Sequence, residues 1–421
     1  MLDTEFDICV IGLGYIGLPT ASLFASAGLK VVGVDIDEIV ITNINSKNLK
    51  TPEPGLFDLV NKVVNDRLLL ASIDPQVAKN YIIAVPTPIN AANRKPNMQH
   101  IFSAIQKILP ILKVGDLLVI ESTISIGTTE SIAKFIKSER PDLNVPISSD
   151  DAAGIHIAHC PERVLPGKIL RELRENHRVI GGITSACSQK AHKLYTEVVN
   201  AEITVTSHVR VAEMSKLVEN SYRDVNIAFA NEISLLSDQA GIDVWELRRI
   251  ANLHPRVNLL EPGPGVGGHC IAVDPWFLVD FGGEDARLIE TARQVNDDKP
   301  IFVLEKILQE IEKLLNCDYN IKRSDISVAI YGLSYKPDVD DLRESPAVAI
   351  TLELAQRHPG NIDIIEPNVE ILPTSLVSYK INKVTVSKAD IHVILVDHTS
   401  FYSYDFHQDA TLDFRGVLSN K

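Results

Sequence analysis

Apolar residues along the chain fall into short runs divided by turn residues. Residues 6–11 and 30–34 are continuous apolar runs that read as buried strands, with an apolar helical segment between them that reaches Ala27. The alternation continues with strands expected at 81–85, 117–120 and 155–159 and helices at 98–112 and 128–138. Such alternation predicts a parallel sheet covered by helices on both faces. From 209 to 240 there is no proline and no internal glycine, and Leu217, Ile227, Ile233 and Leu236 follow a helical period. One long helix ending at Gly241 is therefore expected, with a second apolar helix at 244–253. Helices at 286–298 and 301–315 come next, and alternation then resumes with strands at 326–331, 362–365 and 391–396. A helix at 346–356 begins with Pro346 after Ser345.

The first strand runs into Gly12, Gly14 and Gly17, and Asp35 ends the next strand about 20 residues on. In this strand, turn and helix setting the glycines let a pyrophosphate approach a helix N-terminus, and Asp35 can accept from the ribose hydroxyls. A carboxylate there repels a 2′-phosphate, so NAD is favoured over NADP. The loops after the expected strands, at 86–88, 121–125 and 160–167, carry Thr87, Ser122, Thr123, Glu162 and Arg163. An open α/β sheet binds its ligands at such loops, although each residue alone reads better as a cap or turn than as a ligand. The expected fold is α/β, with two Rossmann-like doubly wound units joined by a long central helix. The domains fall at 1–208 (NAD-binding), 209–320 (central helical, with dimerisation and active-site roles) and 321–421 (C-terminal α/β).

On the long helix, Lys216, Asn220 and Arg223 share a face. If that face is buried these groups need partners, and an anionic substrate would supply them. The helix is also a natural dimer seam. Glycines and prolines crowd 262–268 just ahead of Cys270, with Asp274 four residues further. A thiol beside open backbone N–H groups can serve as a covalent nucleophile. The turn after the strand at 326–331 has Gly332 as its only glycine, so it should not hold a second dinucleotide in the same way. Tyr335, Lys336 and Arg343 there offer stacking and positive charge suited to a nucleotide or a diphosphate.

Forty-one basic against fifty-five acidic residues give a net charge of −14, which argues against nucleic acid or an anionic membrane surface as partner. The start of the chain is acidic and lacks the apolar stretch of a signal peptide, and no apolar run approaches the ~18–20 residues of a membrane span. Five widely spaced cysteines without a CxxC pair suit a reduced, cytoplasmic protein. The His159-Cys160 and His269-Cys270 dipeptides lack the paired-ligand spacing of zinc sites, so no metal is expected.

Together these blocks resemble the nucleotide-sugar 6-dehydrogenases, and the resemblance covers essentially the whole chain. It rests on GLGYIGLP (12–19), VPTP (85–88), EST (121–123), PERVLPG (161–167), AEMSKLVENSYRDVNIAFANE (212–232), PGVGGHCIAVDP (264–275) and KPDVDDLRESP (336–346). PERVLPG, RDVNIAFANE and GGHCIAVDPW are most similar to the branch acting on UDP-N-acetyl-D-mannosamine, with UDP-N-acetylglucosamine and UDP-N-acetylgalactosamine 6-dehydrogenases as the alternative.

The resemblance implies NAD-dependent, four-electron oxidation of C6 of a UDP-N-acetylhexosamine for surface polysaccharide synthesis. Cys270 would carry a thiohemiacetal and then a thioester, and Lys216 with Asn220 would stabilise the C6 oxygen and exchange its proton. Asp274, Glu162 and Thr123 would orient or activate water. Tyr15, Ile16, Asp35, Thr87, Thr123 and Arg343 match cofactor positions, alongside Gly12, Gly14 and Gly17. Arg163, Val164, Lys216, Asn220, Arg223, His254, Arg256, Gly267, Tyr335 and Lys336 match positions that hold the UDP-sugar, with Arg256 supplied across a dimer interface in relatives. The resemblance further implies at least a homodimer through the long helix. Histidine at 159 and the YGLSYK sequence at 331–336 are small departures from the pattern, bearing on the choice of sugar.

Two-electron hydroxy-acid dehydrogenases share the Rossmann start, the long helix and a Lys/Asn pair, but need neither Cys270 nor the extra α/β unit. A catalytically inactive NAD-binding regulator would require the loss of Lys216, Asn220, Cys270 or Asp274, and all four are in place.

Overall fold

The computed structural model of the chain describes residues 5–51, 53–152, 154–165, 167–317, 319–370, 372–376, 381–382 and 388–419. Pro166, inside the PERVLPG block, lies outside the described residues. The chain divides into two compact units, one formed by 1–219 with 276–281, the other by 220–275 with 282–421.

In the first unit the elements run β1 (Phe6–Ile11), α1 (Gly17–Ser26), β2 (Val31–Val34), α2 (Glu38–Asn45), α3 (Leu56–Asn65), β3 (Leu69–Ser72), β4 (Ala78–Ile83), α4 (Gln99–Ile108), β5 (Leu117–Ile120), α5 (Thr128–Glu139), β6 (His156–His159), α6 (Ile169–Glu175), β7 (Arg178–Gly182), α7 (Ser185–Tyr195) and β8 (Ile203–Val205). The strands form one sheet in the order β3-β2-β1-β4-β5-β6-β7-β8. Because side chains alternate across a strand, continuous apolar runs feed two cores. Cys9, Ile11, Tyr81, Ile83, Leu118 and Ile120 enter one, while Ile8, Val10, Ile82, Leu117 and Val119 enter the other.

The sheet departs from the expected all-parallel form at one place: β6 and β7 pair antiparallel, with Ala158 opposite Gly182. The intervening α6 sets Ile169 and Leu173 against Leu23 of α1. After α6 the strand β7 runs opposite to β6.

The long helix α8 (Val209–Ala240) is present over the expected span and is followed by α9 (Val244–Ala251), α10 (Pro275–Gly282) and α11 (Arg287–Cys317). Where sequence predicts two helices either side of Pro300, α11 is a single helix with Pro300 inside it. The buried stripe explains this, for Arg293, Asn296, Lys299, Val303, Ile307 and Ile311 keep one helical phase through the proline. Burial of that face outweighs the lost backbone hydrogen bond.

The second unit's sheet comprises β9 (Val328–Tyr331), β10 (Ile362–Ile365), β11 (Ile381–Asn382), β12 (Ile391–Ile394) and β13 (Thr411–Asp413), with α12 (Pro346–Arg357) after β9. Its order, β11-β10-β9-β12-β13, repeats the centre of the first sheet, and all its pairs are parallel. Val328, Ile330, Ile364 and Val393 meet α11 and α12 on one face, and Tyr331, Ile365 and Ile394 meet Phe401 and Phe406 on the other. Ligand crevices in such sheets lie where strand order reverses, beside β1 and β4 in the first unit and β9 and β12 in the second. Among the described residues no helix is long and apolar enough to cross a membrane.

Candidate active site

The glycine turn after β1 fits a dinucleotide. Gly12 has φ +94°, and a Cβ there would lie 2.4 Å from the Ala84 carbonyl oxygen, while one at Gly17 would lie 1.8 Å from that of Gly12. Gly14 opens onto space with nothing within 4 Å of an added Cβ. Ile16 caps α1 without a side-chain hydrogen bond, leaving the helix N-terminus to an anion. Asp35, at the end of β2, accepts from Leu13 N at 2.8 Å and from Asp37 N at 3.0 Å and remains partly exposed. Tyr15 is 37% exposed beside the turn.

Thr87 and Thr123 follow β4 and β5 and are partly buried. Ser122 ties their two loops together by donating to the Val85 carbonyl at 2.7 Å. Glu121, by contrast, faces inward: it is 1% exposed, pairs with buried Arg178 at 3.3 Å and accepts from Thr20 at 3.0 Å.

After β6 the chain sets Glu162 against α8. Lys216 Nζ donates to the Glu162 carbonyl at 2.8 Å and also to its carboxylate, and both residues are buried. Glu162 in turn accepts from Val164 N at 3.0 Å, which fixes the turn carrying Arg163 and Val164. Arg163 bridges to Glu219 at 2.6 Å and donates to the His177 carbonyl at 3.0 Å. Glu53, which no sequence spacing singles out, receives Gly167 N at 2.8 Å and Ile169 N at 2.6 Å and anchors the far end of this loop. His159 lies beneath, 1% exposed, and burial followed by nearby Lys216 drives its imidazole down to about 3. A ring so buried is neutral at physiological pH.

In the second unit Cys270 is exposed, and the chain turns after it so that Asp274 N reaches the Cys270 carbonyl at 2.8 Å. Asp274 is 3% exposed, and Asn220 Nδ2 donates to its carboxylate at 2.6 Å. A carboxylate one turn from the thiol is thus held in place from α8.

Two of the glycines before Cys270 pack closely against the 335–346 segment. An added Cβ at Gly267 would lie 2.5 Å from the Glu344 carbonyl oxygen and 2.9 Å from Tyr335 Cβ, and one at Gly268, where φ is +83°, 2.7 Å from the Tyr335 ring. Close packing against the 335–346 segment requires them, and Gly268 N donates to the Arg343 carbonyl at 3.2 Å. Burial, then Asp341 and Cys270, push the Tyr335 phenol up to about 12, so it stays neutral. Lys336 is partly buried, whereas Arg343 is exposed and forks onto Asp341 at 2.6–3.0 Å.

Arg223, His254 and Arg256 are exposed. Lys216, Asn220 and Arg223 share a face of α8 that, if buried, needs partners. Glu162 and Asp274 supply partners to the first two, and Arg223 faces solvent. Among the described residues no cluster of three or more His, Cys, Asp or Glu could hold a metal ion.

Known proteins match this chain along nearly its whole length. The NAD binding domain of the UDP-glucose/GDP-mannose dehydrogenase family matches residues 6–199, its central domain 210–298 and its UDP binding domain 329–420. UDP-N-acetyl-D-mannosamine dehydrogenase of Campylobacter jejuni is 49% identical, covering 94% of this chain and 96% of its own. NDP-N-acetyl-D-galactosaminuronic acid dehydrogenase of Ralstonia nicotianae is 46% identical, over 100% and 98%. The native structure of UDP-N-acetyl-mannosamine dehydrogenase from Staphylococcus aureus superposes with a TM-score of 0.81 at 38% identity, covering 98% of this chain and 95% of that one. With a dinucleotide turn in the first unit, an exposed thiol beside a held carboxylate in the second and all three family domains in sequence, the chain belongs to the UDP-glucose/GDP-mannose dehydrogenase family of NAD-dependent nucleotide-sugar oxidoreductases.

Proposed function

We propose that the chain oxidises C6 of UDP-N-acetyl-D-mannosamine to the carboxylate, giving UDP-N-acetyl-D-mannosaminuronate for surface polysaccharide synthesis. The observation that carries the chemistry is the exposed Cys270 with buried Asp274 one turn on, its carboxylate held by Asn220. Relatives that bear the mannosamine name, at 49% identity, support the sugar. A galactosamine-type substrate is the second reading, favoured by the Ralstonia relative matching the whole chain; UDP-N-acetylglucosamine is a further alternative.

NAD, when bound, supplies the hydride acceptor for both oxidations. Gly12, Gly14, Tyr15, Ile16, Gly17, Asp35, Thr87, Thr123 and Arg343 are assigned to hold it. Lys216, with Asn220 one turn along α8, stabilises the C6 oxygen and exchanges its proton. The Cys270 thiolate then bonds to the aldehyde carbon, and the thiohemiacetal is oxidised to a thioester. Water adds to that carbonyl and the C–S bond breaks, releasing the acid and restoring the thiolate. Asp274, Glu162 and Thr123 orient or activate the water. A serine would be a poorer nucleophile and leave a more stable acyl bond, so a thiol suits this step. Arg163, Val164, Arg223, His254, Arg256, Gly267, Tyr335 and Lys336 complete the grip on the UDP-sugar. A cytoplasmic homodimer or larger assembly through α8 completes the reading.

The test is the NADH formed per sugar consumed by the purified protein, with UDP-N-acetyl-D-mannosamine beside its glucosamine and galactosamine counterparts and UDP-glucose. Two NADH per molecule, with the mannosamine sugar preferred, is expected. One NADH would remove the thioester step, and preference for another sugar would replace the substrate alone.

A further inference from the structure

The two sheets place the same backbone device at the same station and use it differently. In the first unit β1 is followed by Gly12, φ +94°, and Leu13 N donates to Asp35 after the neighbouring β2 at 2.8 Å. In the second unit β9 is followed by Gly332, φ +89°, and Leu333 N donates to Glu366 after the neighbouring β10 at 2.7 Å. Asp35 remains partly exposed, whereas Glu366 is 0% exposed. His398, after β12 and likewise 0% exposed, covers it, with Nε2 3.1 Å from Glu366 Oε2.

The bonds around this pair define its state. Glu366 also accepts from Ser334 N at 3.2 Å and Asn368 N at 2.9 Å, so the buried carboxylate is saturated with donors. His398 Nδ1 accepts from Asp338 N at 2.9 Å and lies 2.9 Å from Asn368 Nδ2. An acceptor at Nδ1 places the ring proton on Nε2, which donates to Glu366. A nucleotide ribose therefore has no access to Glu366 of the kind that Asp35 offers.

We propose that Glu366 and His398 are positioning residues for the nucleotide-sugar, clamping the 333–338 segment at both ends so that Tyr335 and Lys336 stand in fixed places between the clamps. Glu366 grips the segment at Leu333 N and Ser334 N, and His398 at Asp338 N. Ser334 Oγ donates to the Lys336 carbonyl at 2.7 Å within the span. Asp338, at φ +58°, is further held by Thr399 N at 3.0 Å. Non-glycine residues adopt that backbone region only when their surroundings impose it, and here His398 and Thr399 do so. The crevice that binds a ligand in the first sheet is filled by protein in the second, and the filling aims the loop. This inference rests on the reading that Tyr335 and Lys336 contact the UDP-sugar.

The experiment compares steady-state kinetics of His398→Ala, His398→Gln, Thr399→Val and Lys336→Ala with both substrates varied. His398→Ala should raise KM for the UDP-sugar about tenfold or more, with KM for NAD unchanged and kcat within about threefold. Gln can still donate to Glu366 and should restore part of the loss. Thr399 is exposed, so Thr399→Val retains the fold while deleting the hydroxyl that donates to the Asp338 carboxylate, and it should shift the same KM in the same direction should His398→Ala fail to fold. A raised sugar KM in Lys336→Ala with none in the His398 and Thr399 variants overturns the clamp. An unchanged sugar KM in Lys336→Ala overturns the reading beneath it.

Discussion

Lys216 and Glu162, fifty-four residues apart in sequence, form a buried pair in which one ammonium contacts both the carbonyl and the carboxylate of its partner. Their side chains are 6% and 11% exposed. Breaking such a pair by removing one member costs roughly 3–5 kcal/mol when it is well buried. Lys216→Ala should lower NADH formation by about a hundredfold or more, as expected for loss of a proton-transfer and charge-stabilising group. NAD affinity, read from the quenching of protein fluorescence, should not change, because the glycine turn is built from β1, α1 and β2. Near-normal turnover would remove Lys216 from the chemistry.

The cysteines divide by access. Cys270 and Cys317 are exposed, whereas Cys9, Cys160 and Cys187 are buried, and burial pushes the Cys9 and Cys160 thiols up to about 12. Such thiols are not thiolates at pH 7–9 and are shielded from reagent. A disulfide reagent should therefore react quickly with two of the five thiols in the native protein and with all five after unfolding. Inactivation should follow the Cys270 site: Cys317→Ser should lose activity at the unmodified protein's rate. Cys270→Ser should stall or strongly slow product release, and undiminished turnover would exclude the covalent role.

An apolar stripe runs the length of α8 on its exposed side, through Val211, Met214, Val218, Tyr222, Phe229 and Leu236, with Tyr222 70% and Phe229 59% exposed. Single exposed apolar residues are ordinary, but a continuous stripe at helical spacing marks a surface that a second copy can cover. Phe229→Asp should lower the mass measured by light scattering after size exclusion to that of one chain. A parent protein that is already monomeric would refute the seam.

How much of this was legible in the sequence depends on the range of the interaction. β1, β2 and α8 follow from local apolar runs and the absence of breakers, and Gly12 to Asp35 could be recognised because the motif is contiguous with its strand. The strand β7 is not legible in the local pattern, and it ends in Gly181 and Gly182. They are glycine because an added Cβ would lie 2.8 Å from Val209 Cα at the first and 2.4 Å from Ser188 N at the second, neighbours that only the folded chain supplies. Glu53 with Gly167, Glu366 with His398, and the continuity of α11 through Pro300 were hidden for the same reason. Each is set by partners distant in sequence, against which local propensity is a weak guide.

Burial of His159 makes the folded chain acid-sensitive. Its folded value of about 3 against an ordinary 6.5 comes first from burial and then from Lys216. The unfolded chain binds a proton at this ring between those limits and the folded chain does not, so stability falls as pH drops from about 6.5 towards 3. His159→Phe removes that proton difference. Urea unfolding at pH 7.5 and pH 5 should show a smaller loss for the variant than for the parent, by about 1–2 kcal/mol over that interval. Equal losses would mean that this ring does not set the acid limb.

Gly263 and Gly267 lie in the same loop and test whether its glycines serve packing. Neither has the left-handed backbone that penalises a side chain, so the comparison reads space alone. A Cβ at Gly263 would lie 2.6 Å from Nη1 of Arg415, the far end of a long side chain whose Nε donates to Asp397 at 2.7 Å. At Gly267 it would meet the Glu344 carbonyl oxygen at 2.5 Å, Pro346 Cδ at 2.8 Å and Tyr335 Cβ at 2.9 Å, none of which can swing away. Gly263→Ala should change stability by no more than about 0.5 kcal/mol and leave kcat/KM close to the parent value. Gly267→Ala should cost about 1–3 kcal/mol, as overpacking does, and reduce kcat/KM at least about tenfold by displacing the segment that carries Cys270. Equal effects at the two positions in urea unfolding and steady-state kinetics would show that the loop yields, and that its glycines are required by the ligand instead of by Tyr335 and Pro346.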